Sequence, residues 1–352
     1  MRKKIRIFGL LVVLLVVAVP VAGAWVSSYL HRPLPVSETL TVEVPQGAGL
    51  SRVLYNLNDE GILGKGLEAR FRRVGARLYS AFTGMDGRMH VGEYQLKPGD
   101  SLLSLLEKMD RGDVLQRSLT LVEGWNFREL RARLASLETL EHRLEGLTDE
   151  QVMAELGRPD RHPEGWFAPE TYFYTRGTAD LTILARALAR QENILDEAWQ
   201  QRAKDLPYDT PYEALIMASI VERETGVPKE RPEIAGVFTN RLNKGMRLQT
   251  DPTVIYGMGE DYKGNIRRSD LRRATPYNTY VIRGLPPTPI AMPGREAILA
   301  AVNPGKTESL YFVARGDGSH SFSKTLAQHR KAVREYQLQR REGYRSSPGG
   351  GQ

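Results

Sequence analysis

The segment 211–226, PYEALIMASIVERETG, carries the residue pattern best suited to acid–base chemistry. Ala214 to Val221 form an uninterrupted apolar run that leads straight into Glu222, Arg223 and Glu224. At about 100° per residue on a helix, Glu222 projects between Ala218 and Ser219, whose small side chains would let a substrate approach closely. A carboxyl at the end of a buried apolar helix loses solvation, so its pKa rises toward the range a general acid needs near neutrality. Glu224 points about 160° away, beside Met217 and Ile220. The plainer alternative is that both glutamates form the solvated last turn of a core helix, and spacing alone leaves the two open.

Two more stretches have an unusual composition, 246–256 (MRLQTDPTVIY) and 275–294 (TPYNTYVIRGLPPTPIAMPG). They are dense in Gln, Thr, Asn, Tyr and Pro and poor in charge. Such amide, hydroxyl and aromatic surfaces suit a sugar, whose faces are apolar and whose edges hydrogen-bond. Prolines fix φ and would hold the second stretch extended at low entropic cost. A structural loop covering the core would look the same. Other chemistries find little support. The chain has no cysteine, which excludes a disulfide framework, a thiolate zinc site and a cysteine nucleophile. His31, His90, His142, His162, His320 and His329 are scattered without HxxxH spacing, so no metal is expected. GxGxxG, GxxxxGK[ST] and GxSxG are absent, so no nucleotide cofactor or serine elbow is expected either.

The N-terminus sets where this chemistry would act. Arg2, Lys3, Lys4 and Arg6 precede an uncharged run from Ile7 to Val26. As a helix that run would cover about 30 Å, one hydrocarbon thickness. Trp25 and Tyr29 sit where interfacial aromatics belong, and the charge asymmetry places the N-terminus inside. A cleaved signal peptide is the alternative, with Ala22-Gly23-Ala24 as cleavage site, but the run exceeds the usual 7–15-residue apolar core. Either way the working part is exported, and nucleic acid is not an expected partner. Net charge is +7, from 49 Lys and Arg against 42 Asp and Glu, which then points to anionic lipid or an acidic wall polymer.

A length of 352 residues suggests about two domains, and 41% hydrophobic with 26% charged residues excludes a polytopic membrane protein or a mostly disordered one. After a Pro-rich linker (31–39) a strand–turn–helix pattern appears three times: Thr41–Val44 then Leu50–Leu57, Val91–Leu96 then Ser101–Met109, and Leu119–Val122 then Phe127–Leu134. Asn126 with Glu129 resembles a capping box. Residues 70–90 read as helical, then Gly-rich. Beyond Val122 the chain is mainly helical, at about 127–136, 149–156, 180–204 and 211–226. A hairpin follows, Thr307–Ala314 with His320–Ser323, then a basic helix over Ala327–Gln339. The expected fold is α+β, with an N-terminal transmembrane helix (1–30), a small α+β module (40–113), a larger mainly helical catalytic domain (114–340) and a flexible tail (341–352).

Taken together, ASIVERETG (218–226), NRLNKGMRLQTDPTVIYG (240–257), TPYNTYVIRGLPPTPIAMPG (275–294) and EGWFAPETY (164–172) resemble the endolytic murein transglycosylase, or YceG-like, family of bacterial cell-wall enzymes. The resemblance runs from the anchor, through what it implies is a LysM-like module at 40–113, to the hairpin LYFVARGDGSHSF (310–322). It implies a single-pass inner-membrane protein whose periplasmic domain cuts peptidoglycan glycan strands internally, between N-acetylmuramic acid and N-acetylglucosamine. Cleavage would be non-hydrolytic, would leave 1,6-anhydro-N-acetylmuramic acid ends and would terminate nascent strands, with peptidoglycan synthases as partners. It implies Glu222 as the catalytic acid and base. It makes the polar stretches a glycan groove, with Gln249, Asp251, Tyr277 and Asn278, and beside them Ser219, Thr253, Tyr256, Thr279 and Tyr280, as substrate-binding residues. Two rival readings are a two-carboxylate glycosidase using Glu222 and Asp251, and a non-catalytic glycan-binding scaffold of the synthesis machinery.

Overall fold

The computed structural model of the chain describes Val17, Pro20, Val21 and residues 23–338. Most of the expected membrane span and the tail 341–352 lie outside these residues. Among the described residues 23–31 are helical, and no helix is long and apolar enough to cross a membrane. Helices and small two-stranded sheets alternate, an α+β architecture. The chain forms two compact units, Met1–Arg117 with Phe173–Arg176, and Ser118–Tyr172 with Gly177–Gln352.

In the first unit β1 (Leu40–Val44) pairs antiparallel with β2 (Gly92–Leu96), Val42 opposite Tyr94. Between them lie α1 (Leu50–Asp59) and α2 (Gly66–Thr83), and α3 (Leu102–Arg111) follows. Alternation in the strands sends Val42, Val44, Tyr94 and Leu96 inward. Leu50, Val53, Leu54 and Leu57 of α1 and Leu102, Leu105, Leu106 and Met109 of α3 meet them at helical spacing, making one core. Ser101 starts α3 with a reciprocal capping box to Ser104. Within this unit Arg176 meets the buried Glu93 at 2.5 Å, and Arg117 meets it at 3.0 Å.

The second unit is built on helices. After β3 (Arg117–Thr120), Asn126 caps α4 (Phe127–Ala135) with the expected box to Glu129. Then come α5 (Asp149–Glu155), the short strand β4 (Thr171–Tyr174), which pairs with β3 and whose last two residues belong to the first unit, and α6 (Asp180–Gln200). Next, α7 (Pro211–Glu224) is buried from Ala214 to Val221. Its neighbours are α6, α8 (Arg231–Asn243), α9 (Asp251–Met258) and α10 (Arg295–Val302). A helix apolar on all sides belongs at the centre of such a bundle. Fully burying Leu215, Ile216, Met217, Ile220 and Val221 stabilises it by about 1.5–3 kcal/mol each. The chain closes with β5 (Tyr311–Ala314), β6 (His320–Ser323) and α11 (Leu326–Val333).

The sequence assigns no element to the stretch 246–256. Half of it is helical, because Pro252 near the start of α9 is preorganised for a first turn. The stretch 275–294, in contrast, holds no helix or strand. The hairpin is shorter than expected: the carbonyls of Thr307 and Ser309 accept from the Asn240 amide on α8, so that backbone serves the helix.

Candidate active site

Thr210 caps α7 with a box to Glu213 and Pro211 occupies its first turn, so the helix start is fixed. That register decides where the two glutamates fall. Two residues apart, they project about 160° from each other. Glu222 turns toward α8 and the start of α10. One carboxylate oxygen lies 3.1 Å from Arg231 Nη2, and the other accepts from the Gly294 amide at 2.9 Å. Only 5% of the Glu222 side chain and 9% of Arg231 are exposed. Burial pushes the Glu222 carboxyl up, and the Gly294 N–H and Arg231 hold it back. The small side chains beside it do not open a groove. Ser219 Oγ accepts from the Ile290 amide at 3.0 Å, and both Ala218 and Ser219 are fully buried, so neither faces a ligand.

Glu224 faces α9. Thr250 is the N-cap of that helix, yet its side chain makes no cap bond. Its hydroxyl donates to Glu224 Oε2 at 2.8 Å instead. An N-cap threonine contributes about 1 kcal/mol to its own helix, so diverting it marks Glu224 as the group being positioned. Burial pushes the Glu224 carboxyl up to about 7; the Thr250 hydroxyl and Arg241 pull it down, while the neighbouring Asp251 adds to the rise. Asp251 is exposed in the first turn of α9 and accepts from Tyr280 Oη at 2.7 Å. Burial, reinforced by Asp251, raises the Tyr280 phenol, which stays a neutral donor.

Gln249 precedes this cluster with φ +51°, the one non-glycine residue of positive φ among the described residues. Its side chain is exposed, and its amide donates to the Thr279 carbonyl at 3.2 Å. A left-handed glutamine stores backbone strain, of the kind that clusters at functional sites.

The other sequence candidates divide into surface and framework. Thr253 donates to the Thr250 carbonyl and meets the Thr279 hydroxyl at 2.8 Å. Asn278 donates to the carbonyls of Asp270 and Arg273 and accepts from the Tyr280 amide. With Ser219, these side chains are buried among protein partners. They hold the polar loops in shape and offer a glycan no surface in this conformation. Tyr256 and Tyr277 pack edge to face at 4.8 Å and line a cleft of about 490 Å³.

That cleft also contains Asn126, His162, Glu164, Arg223, Tyr262 and Ile290. Glu164 has no counterpart among the sequence candidates. It is 2% exposed. Its carboxylate accepts from the Phe127 amide at 3.1 Å and from Tyr256 Oη at 3.0 Å. Burial lifts it to about 7, against the pull of those two donors. Its setting in EGWFAP, a lone acid among Gly, Trp, Phe, Ala and Pro, was the available signal. Gly165 permits the fold there: its φ is +84°, and a Cβ would lie 2.6 Å from Pro289. Among the described residues no group of three His, Asp or Glu side chains could hold a metal.

Comparison with known proteins adds to this geometry. The YceG-like family model matches residues 42–335. The endolytic murein transglycosylase of Bacillus subtilis strain 168 is 31% identical over 315 residues, 85% of each chain. That of Streptococcus pneumoniae D39 is 26% identical over 84% of this chain and 58% of its own length. A crystal structure of a yceG-like protein from Listeria monocytogenes is 29% identical, with a TM-score of 0.52 over 84% of this chain and 99% of that one. With most of its length matched by that model, the chain belongs to the YceG-like family.

Proposed function

We propose that the protein is a lytic transglycosylase that cuts peptidoglycan glycan strands internally, between N-acetylmuramic acid and N-acetylglucosamine. Its relatives, named as endolytic murein transglycosylases, support the reaction class. The observation that carries it here is Glu224, a carboxyl poised at about 7, oriented by Thr250 and set beside the exposed Asp251 and the half-buried Tyr280. A group poised near neutrality can give a proton and then take one back. Glu224 protonates the glycosidic oxygen as the C1–O bond breaks. Its carboxylate then removes the proton from the muramic acid C6 hydroxyl as that oxygen bonds to C1, closing the 1,6-anhydro ring. No water enters and no second carboxylate is needed.

Glu222 is the alternative acid within the same segment. Its engagement with Arg231 and the Gly294 amide favours a structural carboxylate instead. Gln249, Asp251, Tyr256, Tyr277 and Tyr280 supply the glycan contacts, and Ser219, Thr253, Asn278 and Thr279 the framework behind them. A second reading, a two-carboxylate hydrolase, draws on the proximity of Asp251 to Glu224. The same proposal includes a single-pass inner-membrane anchor at Ile7–Val26, a periplasmic catalytic domain, a LysM-like module at 40–113, and peptidoglycan synthases as partners in ending nascent strands. Mass spectrometry of digested sacculi tests the reaction: anhydro ends support it, and reducing ends favour the hydrolase.

A further inference from the structure

Helix α2 (Gly66–Thr83) buries Ala69, Arg72, Gly75, Ala76 and Ser80 on one face. Its other face is unusual. Leu67 is 67% exposed, Leu78 47% and Phe82 89%, and Val74 is exposed between them. At about 100° per residue these four and Phe71 fall within an arc of about 80°, a continuous apolar strip along the whole helix. Contiguous exposed apolar surface of this kind marks an interaction site rather than ordinary surface composition.

The borders of the strip say what it meets. Along one edge run Arg70 and Arg77, both exposed, with Arg73 behind them. None of the three makes an ion pair among the described residues, whereas Glu68, the one acid of α2, is paired with Arg72 at 3.0 Å. Along the other edge lies the helical segment 23–31. It crosses α2 at Gly75, where a Cβ would stand 3.0 Å from Leu30 and 3.1 Å from Val26. Trp25 packs on Phe71 at 4.3 Å, Tyr29 on Phe71 at 5.2 Å, and the Arg32 guanidinium sits 4.2 Å over the Tyr29 ring. The uncharged run that begins at Ile7 ends within this segment, at Val26. The strip therefore starts beside the point where the chain leaves its apolar stretch, between interfacial aromatics on one side and free arginines on the other.

We propose that the α2 strip docks on the surface of the bilayer that holds the Ile7–Val26 anchor. Leu67, Phe71, Val74, Leu78 and Phe82 enter the boundary between headgroups and acyl chains, and Arg70, Arg73 and Arg77 contact anionic lipid headgroups. An amphipathic helix with a cationic border binds in this way, through apolar burial plus attraction to anionic lipid. The proposal rests on the membrane anchor above.

The chain has no cysteine, so single cysteines can carry an environment-sensitive fluorophore in the full-length protein. Leu78→Cys and Phe82→Cys report on the strip, Tyr55→Cys on exposed surface of α1, and Leu14→Cys on the anchor. The labelled chains are reconstituted in vesicles of phosphatidylethanolamine and phosphatidylglycerol at 3:1, with and without brominated acyl chains. The labels at 78 and 82 are expected to shift to the blue and to be quenched at least twofold by brominated lipid. The label at 55 should not respond. Replacing phosphatidylglycerol with neutral lipid, or Arg70→Glu with Arg77→Glu, should reduce the quenching at 82 severalfold.

A chain that floats with the vesicles, with position 14 quenched and 78 and 82 in water, overturns the docking while leaving the anchor intact. A chain that does not float overturns both. Shielding at 82 that vanishes on dilution with lipid identifies a second copy of the chain as the occupant and likewise overturns the proposal.

Discussion

Breaking the Glu222–Arg231 pair separates a structural carboxylate from a catalytic one. Removing one partner of a buried ion pair costs about 3–5 kcal/mol, chiefly because the other charge is left behind. In Glu222→Gln the amide oxygen can still accept from Gly294, and Arg231 keeps Glu123 at 3.3 Å, a carboxylate 46% exposed. The loss should therefore lie below that range, at about 2 kcal/mol. Arg231→Met is harsher, leaving Glu222 with only the Gly294 amide, and should cost about 3–5 kcal/mol at neutral pH. The Arg231→Met penalty should shrink as pH falls. Without Arg231 the carboxyl lies further above its unfolded value, so the folded state takes up a proton first and the buried charge disappears. The double variant should recover part of the sum, because neither charge remains. Urea denaturation at pH 7 and pH 5 measures these changes, and anhydro-muropeptide release per folded molecule measures activity. Glu222→Gln should lose stability while keeping most activity. If it instead keeps wild-type stability and loses activity by about 10²–10⁴-fold, Glu222 is the acid and the assignment to Glu224 is refuted.

Gln249→Gly should relieve the backbone strain at φ +51°, leaving stability unchanged or raising it by up to about 1 kcal/mol; sacculus digestion should slow, because the exposed amide is lost. Glu164 and Glu224 both sit near 7 when folded, against about 4.5 for an ordinary glutamate. The unfolded chain therefore releases these protons at lower pH than the folded one. Stability should fall as pH rises through about 4.5–7, then level off, by no more than about 3 kcal/mol per group. Glu164→Gln should flatten that slope in thermal melts across the range. Gly236→Ala would favour helix by about 1 kcal/mol on propensity alone. Its Cβ would nevertheless meet the Gly305 carbonyl at 2.4 Å, backbone that cannot rotate aside, so calorimetry should find a net destabilisation of about 1–3 kcal/mol.

What the sequence made legible is local. The Asn126–Glu129 box lies within four residues, and α7 is long, apolar and punctuated by Pro211, so both could be read directly. Helices α8, α9 and α10 could not. Ile234 to Thr239 are buried in succession, which removes the one-sided stripe that signals a helix. The other two span only eight residues each. Within the site, composition found the polar loops but could not separate surface from framework. Asn278 and Tyr280 are equally polar in sequence, yet one is spent on the loop's own carbonyls and the other bonds the exposed Asp251. The angle between Glu222 and Glu224 was fixed by helix geometry, but what each faces was not. Arg231 reaches one from the next helix, and Thr250 reaches the other from 26 residues away. Glu164 depends on Tyr256, 92 residues distant, and no local pattern encodes that contact.

The central claim is that Glu224 moves both protons of a non-hydrolytic cleavage. Mass spectrometry of muropeptides released from purified sacculi by the wild type and by Glu224→Gln, each confirmed folded by circular dichroism, tests it most directly. The wild type should release strands ending in 1,6-anhydro-N-acetylmuramic acid. Folded Glu224→Gln should release them at least about 10²-fold more slowly, the loss expected when one group serves as both acid and base. Reducing ends from the wild type, or anhydro ends from Glu224→Gln at an undiminished rate, would contradict it.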